Sequence, residues 1–267
     1  MKKIADLMSL NGRRALITGA AGKIGYEMAL TIAELGGDLI LVDLPDSDYN
    51  SLKQKILDNW NVNIEFISCD LESENSRIKL IETIIKSNDR LDILINNAAF
   101  VGDSNLDGWI DDFNQQSIVT WNRALAVNLT AVFHLSQGFT PLLKKHKNGS
   151  IINISSTYGL IAPDYSLYKG INMGNPAAYA ASKGGVIQLT RWLSTTIAPE
   201  VRVNYITPGG VWRNQPSKFV KRYESKTPLG RMATEEDFKG AIAYLSTDLS
   251  GYVTGQNLVV DGGWTVW

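Results

Sequence analysis

The sequence predicts a single doubly wound α/β domain, with a mostly parallel seven-stranded sheet and helices on both faces. Three observations carry that expectation. Short apolar runs alternate with longer segments of helical period along all 267 residues. The apolar runs lack the in–out alternation of a one-sided sheet, so each must be covered on both faces, as in parallel sheets. The alternation meets no linker-like Pro/Ser/Gly stretch, so residues 1–267 are read as one domain without a separate substrate domain.

Ala15-Leu16-Ile17 is the first strand, and it ends at a glycine-rich turn before a helix over Ile24 to Leu35. Asp38 to Val42 is the second strand, followed by a helix from Ser51 to Asn59. Ile64 to Ile67 and Leu91 to Ile95 are the third and fourth strands, separated by a helix over Ser76 to Ser87. After a polar loop, Trp121 to Leu143 reads as a long helix broken near Pro141, since proline lacks the amide donor. Ser150 to Ile154, Val201 to Ile206 and Asn257 to Val260 complete the strands. Helices over Ala177 to Ile197 and Thr234 to Leu245 lie between them.

Composition excludes several function classes. With 26 basic and 27 acidic side chains the net charge is −1, which argues against nucleic acid or an anionic membrane as partner. The single cysteine, Cys69, rules out an internal disulfide and suits a reducing, cytoplasmic setting. With two histidines and one thiol, no His/Cys metal site is expected. No targeting or membrane-spanning segment is expected either.

Thr18-Gly19-Ala20-Ala21-Gly22-Lys23-Ile24-Gly25 follows the first strand and opens the first helix. In that setting glycines allow a tight turn and close approach to a pyrophosphate at a helix N-terminus. Gly19, Lys23, Ile24 and Gly25 are the cofactor candidates here. Asp43 ends the second strand, 18 residues beyond Gly25. A carboxylate there bonds the ribose hydroxyls of NAD and repels the 2′-phosphate of NADP. Lys23 could tolerate that phosphate, so NAD is expected, with NADP as the alternative. Asp70-Leu71 and Asn97-Ala98 end the third and fourth strands, where ligands of open α/β sheets collect.

Tyr179 and Lys183 lie four apart on a helix, which places phenol and ammonium on one face. A cation beside the phenol should lower its pKa and make Tyr179 a usable acid or base. Ser156 could bond the reacting oxygen, and Asn128 could hold a water that relays protons from Lys183.

Together these motifs resemble a classical short-chain dehydrogenase/reductase over the whole chain. The matching pieces are Thr18-Gly19 to Gly25, Asp70, Asn96-Asn97-Ala98, Asn128, Ile154-Ser155-Ser156, Tyr179 to Lys183, Pro208-Gly209, Thr254-Gly255-Gln256 and Val260 to Gly263. The resemblance implies a Rossmann-type, NAD(P)-dependent oxidoreductase with Asn128, Ser156, Tyr179 and Lys183 as catalytic tetrad. It also implies cofactor contacts from Pro208, Gly209 and the Val211 backbone, a Lys183 bond to the nicotinamide ribose, and a homotetramer. The apolar C-terminal end, Val259-Val260 and Trp264 to Trp267, suits one interface of such a tetramer.

Four departures stand out. Gly22-Lys23 replaces the family's usual order in the turn, Ala99 stands where glycine is usual, and Arg213 stands where many members have a threonine. Ser156 and Tyr179 are 23 residues apart, a longer gap than is usual. The extra segment, roughly 164–175, carries a second Tyr-x-x-x-Lys, Tyr165 to Lys169. Gly170 and Pro176 bracket that pair against a long helix, so Tyr179 is preferred. The insertion is expected beside the substrate mouth, with Tyr165, Tyr168, Lys169 and Met173 as wall candidates. The loop Gly102 to Gln116, with Trp109, would form the opposite wall.

Arg213, Lys218, Lys221, Arg222 and Lys226 form a local cationic excess that could steer an anionic substrate. The expected function is alcohol–carbonyl interconversion on a sugar, polyol or sugar phosphate. The insertion pattern is loosely similar to members associated with flagellin or surface-sugar modification. The alternatives are a 3-oxoacyl thioester reductase and a non-catalytic dinucleotide-sensing module.

Overall fold

The computed structural model describes residues 1–101 and 106–267. Seven strands, β1 (Arg14–Thr18), β2 (Asp38–Asp43), β3 (Ile64–Ser68), β4 (Ile93–Asn96), β5 (Gly149–Ile154), β6 (Val201–Pro208) and β7 (Asn257–Val260), form one sheet in the order β3-β2-β1-β4-β5-β6-β7. Every pairing is parallel, so the sheet is wholly rather than mostly parallel. The helices are α1 (Ile4–Met8), α2 (Lys23–Glu34), α3 (Asn50–Asn59), α4 (Glu74–Ser87), α5 (Ile118–Leu125), α6 (Ala131–Lys144), α7 (Thr157–Leu160), α8 (Ala177–Thr196), α9 (Ser217–Glu224) and α10 (Lys239–Ser246).

The strand period of two sorts the apolar side chains into two cores. Ala15, Ile17, Leu39, Leu41, Ile93 and Ile95 point to one face and pack with Met28, Ile32, Ile56 and Ile242. Leu16, Ile40, Val42 and Leu94 point to the other and pack with Leu80, Ile84, Phe139 and Leu193. This double covering explains why the strands read as unbroken apolar runs.

The long helix breaks at a different place from the one expected. The chain runs through α5, makes a π turn over Ala126–Thr130, and continues as α6 straight through Pro141. The Ala131 amide reaches back to the Ala126 carbonyl, so the register shift falls at Asn128. The strand order reverses at β1 and β4, which opens a crevice at their carboxyl ends.

Candidate active site

That crevice is a cleft of about 1020 Å³. Gly19, Lys23, Ile24, Gly25, Asp43, Asp70, Leu71, Asn97, Ala98, Ser156, Tyr179, Lys183, Pro208, Gly209 and Val211 all line it, as does Arg213. The glycines are needed for space. Gly19 has φ +66°, and a Cβ there would lie 2.8 Å from Ala98 Cα. A Cβ on Gly25 would lie 2.1 Å from the Gly19 carbonyl oxygen, so the helix could not start so close to the turn.

Asp43 fastens this turn to β2. Its Oδ2 accepts the Ala21 amide at 2.9 Å, and its Oδ1 accepts that of Leu44 at 2.8 Å. Asn97 acts from the other side, since its side-chain amide donates to Thr18 and Gly19 carbonyls. The Thr18 hydroxyl in turn accepts the Asn97 and Ala98 amides, both at 3.1 Å. Thr18, the first residue of the glycine-turn motif, therefore also ties the end of β1 to the end of β4.

Lys183 is 2 % exposed and donates to the Ile154 carbonyl at 2.8 Å. Burial pushes its ammonium down to about 8. Tyr179 departs from expectation. Burial raises its phenol above the ordinary value, opposed by the Ser156 hydrogen bond and the nearby Arg213 cation. Lys183 Nζ sits over the Tyr179 ring, 5.8 Å from its centroid, and its bond is to Ile154 rather than to the phenol oxygen. That placement explains why the lysine does not lower the phenol here.

Ser156 caps α7, its Oγ accepting the Tyr158 amide at 3.2 Å. The Asn128 amide is engaged by protein groups. Its Oδ1 accepts the Phe100 amide at 2.6 Å, and its Nδ2 bonds the Phe100 carbonyl and Ser182 Oγ, both at 3.1 Å. Its side chain therefore pins the β4–α5 connection to α8.

A second chamber of about 240 Å³ adjoins the cleft and shares Ser156, Tyr179, Pro208 and Gly209 with it. The insertion does reach this chamber, through Tyr168, Gly174 and Asn175. Tyr165 is 63 % exposed and Lys169 is exposed, so neither forms the wall. Met173 packs behind the wall in a cluster with Leu167, Phe219 and Tyr223. The residues from Tyr165 to Leu167 form a single 3-10 turn, and α8 begins only after Pro176. On the opposite side Trp109 lines the chamber and sits edge-on to Phe100 at 5.2 Å, whereas residues 102–105 of the expected wall lie outside the described ones.

The basic run between Arg213 and Lys226 is largely engaged by neighbours. Arg213 lies 3.7 Å from Glu235, Arg222 donates to the Leu167 and Lys169 carbonyls, and Lys226 holds Asp164 and Ser166. Lys218 and Lys221 are exposed. Trp264, expected at an interface, is buried and stacks on Tyr223 at 4.4 Å. Cys69 is buried at the cleft floor, and burial pushes its thiol up to about 11. His134 accepts a bond from Arg77. Among the described residues no helix is long and apolar enough to cross a membrane, and no three metal-ligating side chains cluster.

A family model described as Enoyl-(Acyl carrier protein) reductase matches residues 19–265. A 3-oxoacyl-[acyl-carrier-protein] reductase of Thermotoga maritima is 32 % identical, covering 96 % of this chain and 99 % of that protein. An NADP-dependent mannitol dehydrogenase of Alternaria alternata is 30 % identical, covering 99 % and 96 %. A short-chain dehydrogenase of Leptospira borgpetersenii, solved with bound NAD+, superposes with a TM-score of 0.83 at 33 % identity, covering 99 % and 96 %. The chain belongs to the short-chain dehydrogenase/reductase family.

Membership makes the chain an oxidoreductase that uses NAD or NADP. The cleft fits such a cofactor on its own evidence. Gly19 and Gly25 leave no room for a Cβ, and the N-terminus of α2 opens into the cleft beside the Asp43 carboxylate.

Proposed function

We propose that the protein is an NAD-preferring alcohol dehydrogenase or carbonyl reductase acting on an uncharged, hydroxyl-rich small molecule, a sugar or polyol. The chamber lining carries the reading. It is lined by Ser156, Thr157, Tyr158, Tyr168, Tyr179 and Tyr223, by Asn175 and Gln215, and by aromatic side chains, with no charged residue among the described ones. Hydroxyls and amides pair with sugar hydroxyls, and aromatic faces stack on C–H surfaces. The engagement of Arg222 and Lys226 by protein partners weakens the case for a phosphorylated substrate.

The chemistry supplied by a bound nicotinamide is hydride transfer to or from the substrate carbon. Ser156 holds the reacting oxygen, and Tyr179 exchanges its proton with that oxygen. Lys183 would orient the ribose of a bound nicotinamide nucleotide. Asn128 positions α8 through Ser182. Asp43 favours ribose hydroxyls over a 2′-phosphate. A homotetramer is part of this proposal, supported by exposed Ile118, Val119, Phe133, Val259 and Trp267. Light scattering tests the assembly.

A panel of sugars, polyols and sugar phosphates, followed by nicotinamide absorbance with NAD and NADP, tests the reaction. Turnover of an uncharged polyol with NAD supports it, and binding of NAD without turnover of any alcohol or carbonyl overturns it. The Thermotoga maritima relative favours one second reading, a 3-oxoacyl thioester reductase. That reading requires NADPH-dependent turnover of an acetoacetyl thioester. A dinucleotide sensor would survive Tyr179→Phe, which the enzyme would not.

A further inference from the structure

The inserted segment does more than close the chamber. Tyr158 lies two residues beyond Ser156, and Tyr168 lies inside the insertion, yet their hydroxyls bond at 2.6 Å on the chamber wall. Two phenols hold two protons, and only one closes that bond, so the other is left to donate. Asn175, 7 % exposed, lines the same wall. Its Oδ1 meets no donor among the described residues. A buried carbonyl oxygen is costly to leave unpaired. A spare donor beside a spare acceptor matches a hydroxyl, which is both; a phosphate or thioester oxygen only accepts.

The insertion is also held firmly enough to discriminate. Leu167 is fully buried against Phe219 and Tyr223, and the Tyr168 ring lies 5.6 Å from Phe219. Arg222 binds two carbonyls of the insertion, and Lys226 binds Asp164. Residues of α9, with Lys226 just beyond it, thus fix the segment that carries Tyr168.

We infer that segment 164–175 is the specificity element of this enzyme, with Tyr168, Tyr158 and Asn175 reading one hydroxyl of the substrate. The inference rests on the hydroxyl-rich substrate proposed above. Its test compares wild type and Tyr168→Phe on a polyol and on the unsubstituted secondary alcohol of the same carbon skeleton. The variant keeps the ring against Phe219 and removes only the hydroxyl. The ratio of kcat/KM for polyol to that for plain alcohol should fall about tenfold or more, chiefly through KM. Tyr158→Phe should move the ratio in the same direction and serves where the first variant is unstable, with NAD binding as the check on folding. An unchanged ratio in a folded variant overturns the inference and leaves the hydroxyl-rich reading standing. A wild type that prefers the plain alcohol or a thioester to every polyol overturns both.

Discussion

The side-chain amide of Asn97 donates to the carbonyl oxygens of both Thr18, at 3.0 Å, and Gly19, at 3.1 Å. One residue at the end of β4 therefore sets the shape of the turn after β1, across the point where the strand order reverses. Asn97→Leu keeps the volume and leaves both carbonyls without that donor. Loss of the pair should cost about 1–3 kcal/mol of stability and weaken NAD binding about tenfold or more. Chemical denaturation and a fluorescence titration with NAD measure the two effects.

Asp43 combines two roles that one substitution can separate. Asn at this position can still accept the Ala21 amide, so the turn keeps its tether while the charge is lost. Asp43→Asn should lower the NAD-to-NADP ratio of kcat/KM about tenfold or more, because repulsion of the 2′-phosphate is removed. Steady-state kinetics with both cofactors checks it.

Lys183 is costly to bury. Its ammonium titrates at about 8 in the fold against an ordinary 10.5, so the unfolded chain binds more protons between those values. Stability therefore rises as pH climbs through that window, and the penalty is fully present below it. The shift corresponds to about 3 kcal/mol, reduced by the bond to Ile154. Lys183→Met should abolish activity, raise Tm of the cofactor-free protein near pH 7, and lose that advantage by pH 10. Thermal unfolding across pH reads the crossover.

Tyr179 gives the two reaction directions opposite pH dependences. Burial holds its phenol above the ordinary value near 10, so the protonated form needed for carbonyl reduction dominates at neutral pH. Alcohol oxidation needs the phenolate and should still be rising at about pH 9, while reduction stays level there and falls only above about pH 10. Profiles of kcat/KM in both directions test this, and Tyr179→Phe should reduce either about a thousandfold or more, the upper part of the acid–base range.

The inner strands were legible because each is buried on both faces, as Leu16 and Ile17 show by entering different cores. The glycine turn and the Tyr179–Lys183 pair were legible because steric limits and helical spacing act locally. The positions of Thr18, Tyr158 and Asn175 were not, since their partners lie far away in sequence or arise from an insertion without regular period. The helix break was misplaced for a related reason. Pro141 carries a local signal, whereas the π turn at Asn128 accompanies tertiary bonds to Phe100 and Ser182.

Arg222 joins α9 to the insertion by donating to Leu167 at 3.0 Å and to Lys169 at 2.7 Å. Both acceptors are backbone carbonyls, so the contact constrains the chain path that sets Tyr168. The neighbouring Lys226–Asp164 pair is partly exposed and contributes little stability alone, about 1 kcal/mol or less. Arg222→Ala should therefore loosen the insertion without unfolding the domain. Proteolysis within 164–175 should quicken, and KM for the preferred substrate should rise about three- to tenfold, as for loss of about 1 kcal/mol of positioning. Affinity for NAD should stay within about twofold, because the glycine turn and Asp43 lie at the far end of the cleft and share no hydrogen bond with Arg222. Limited proteolysis beside paired titrations of substrate and NAD separates this outcome from general destabilisation, in which both affinities would fall together.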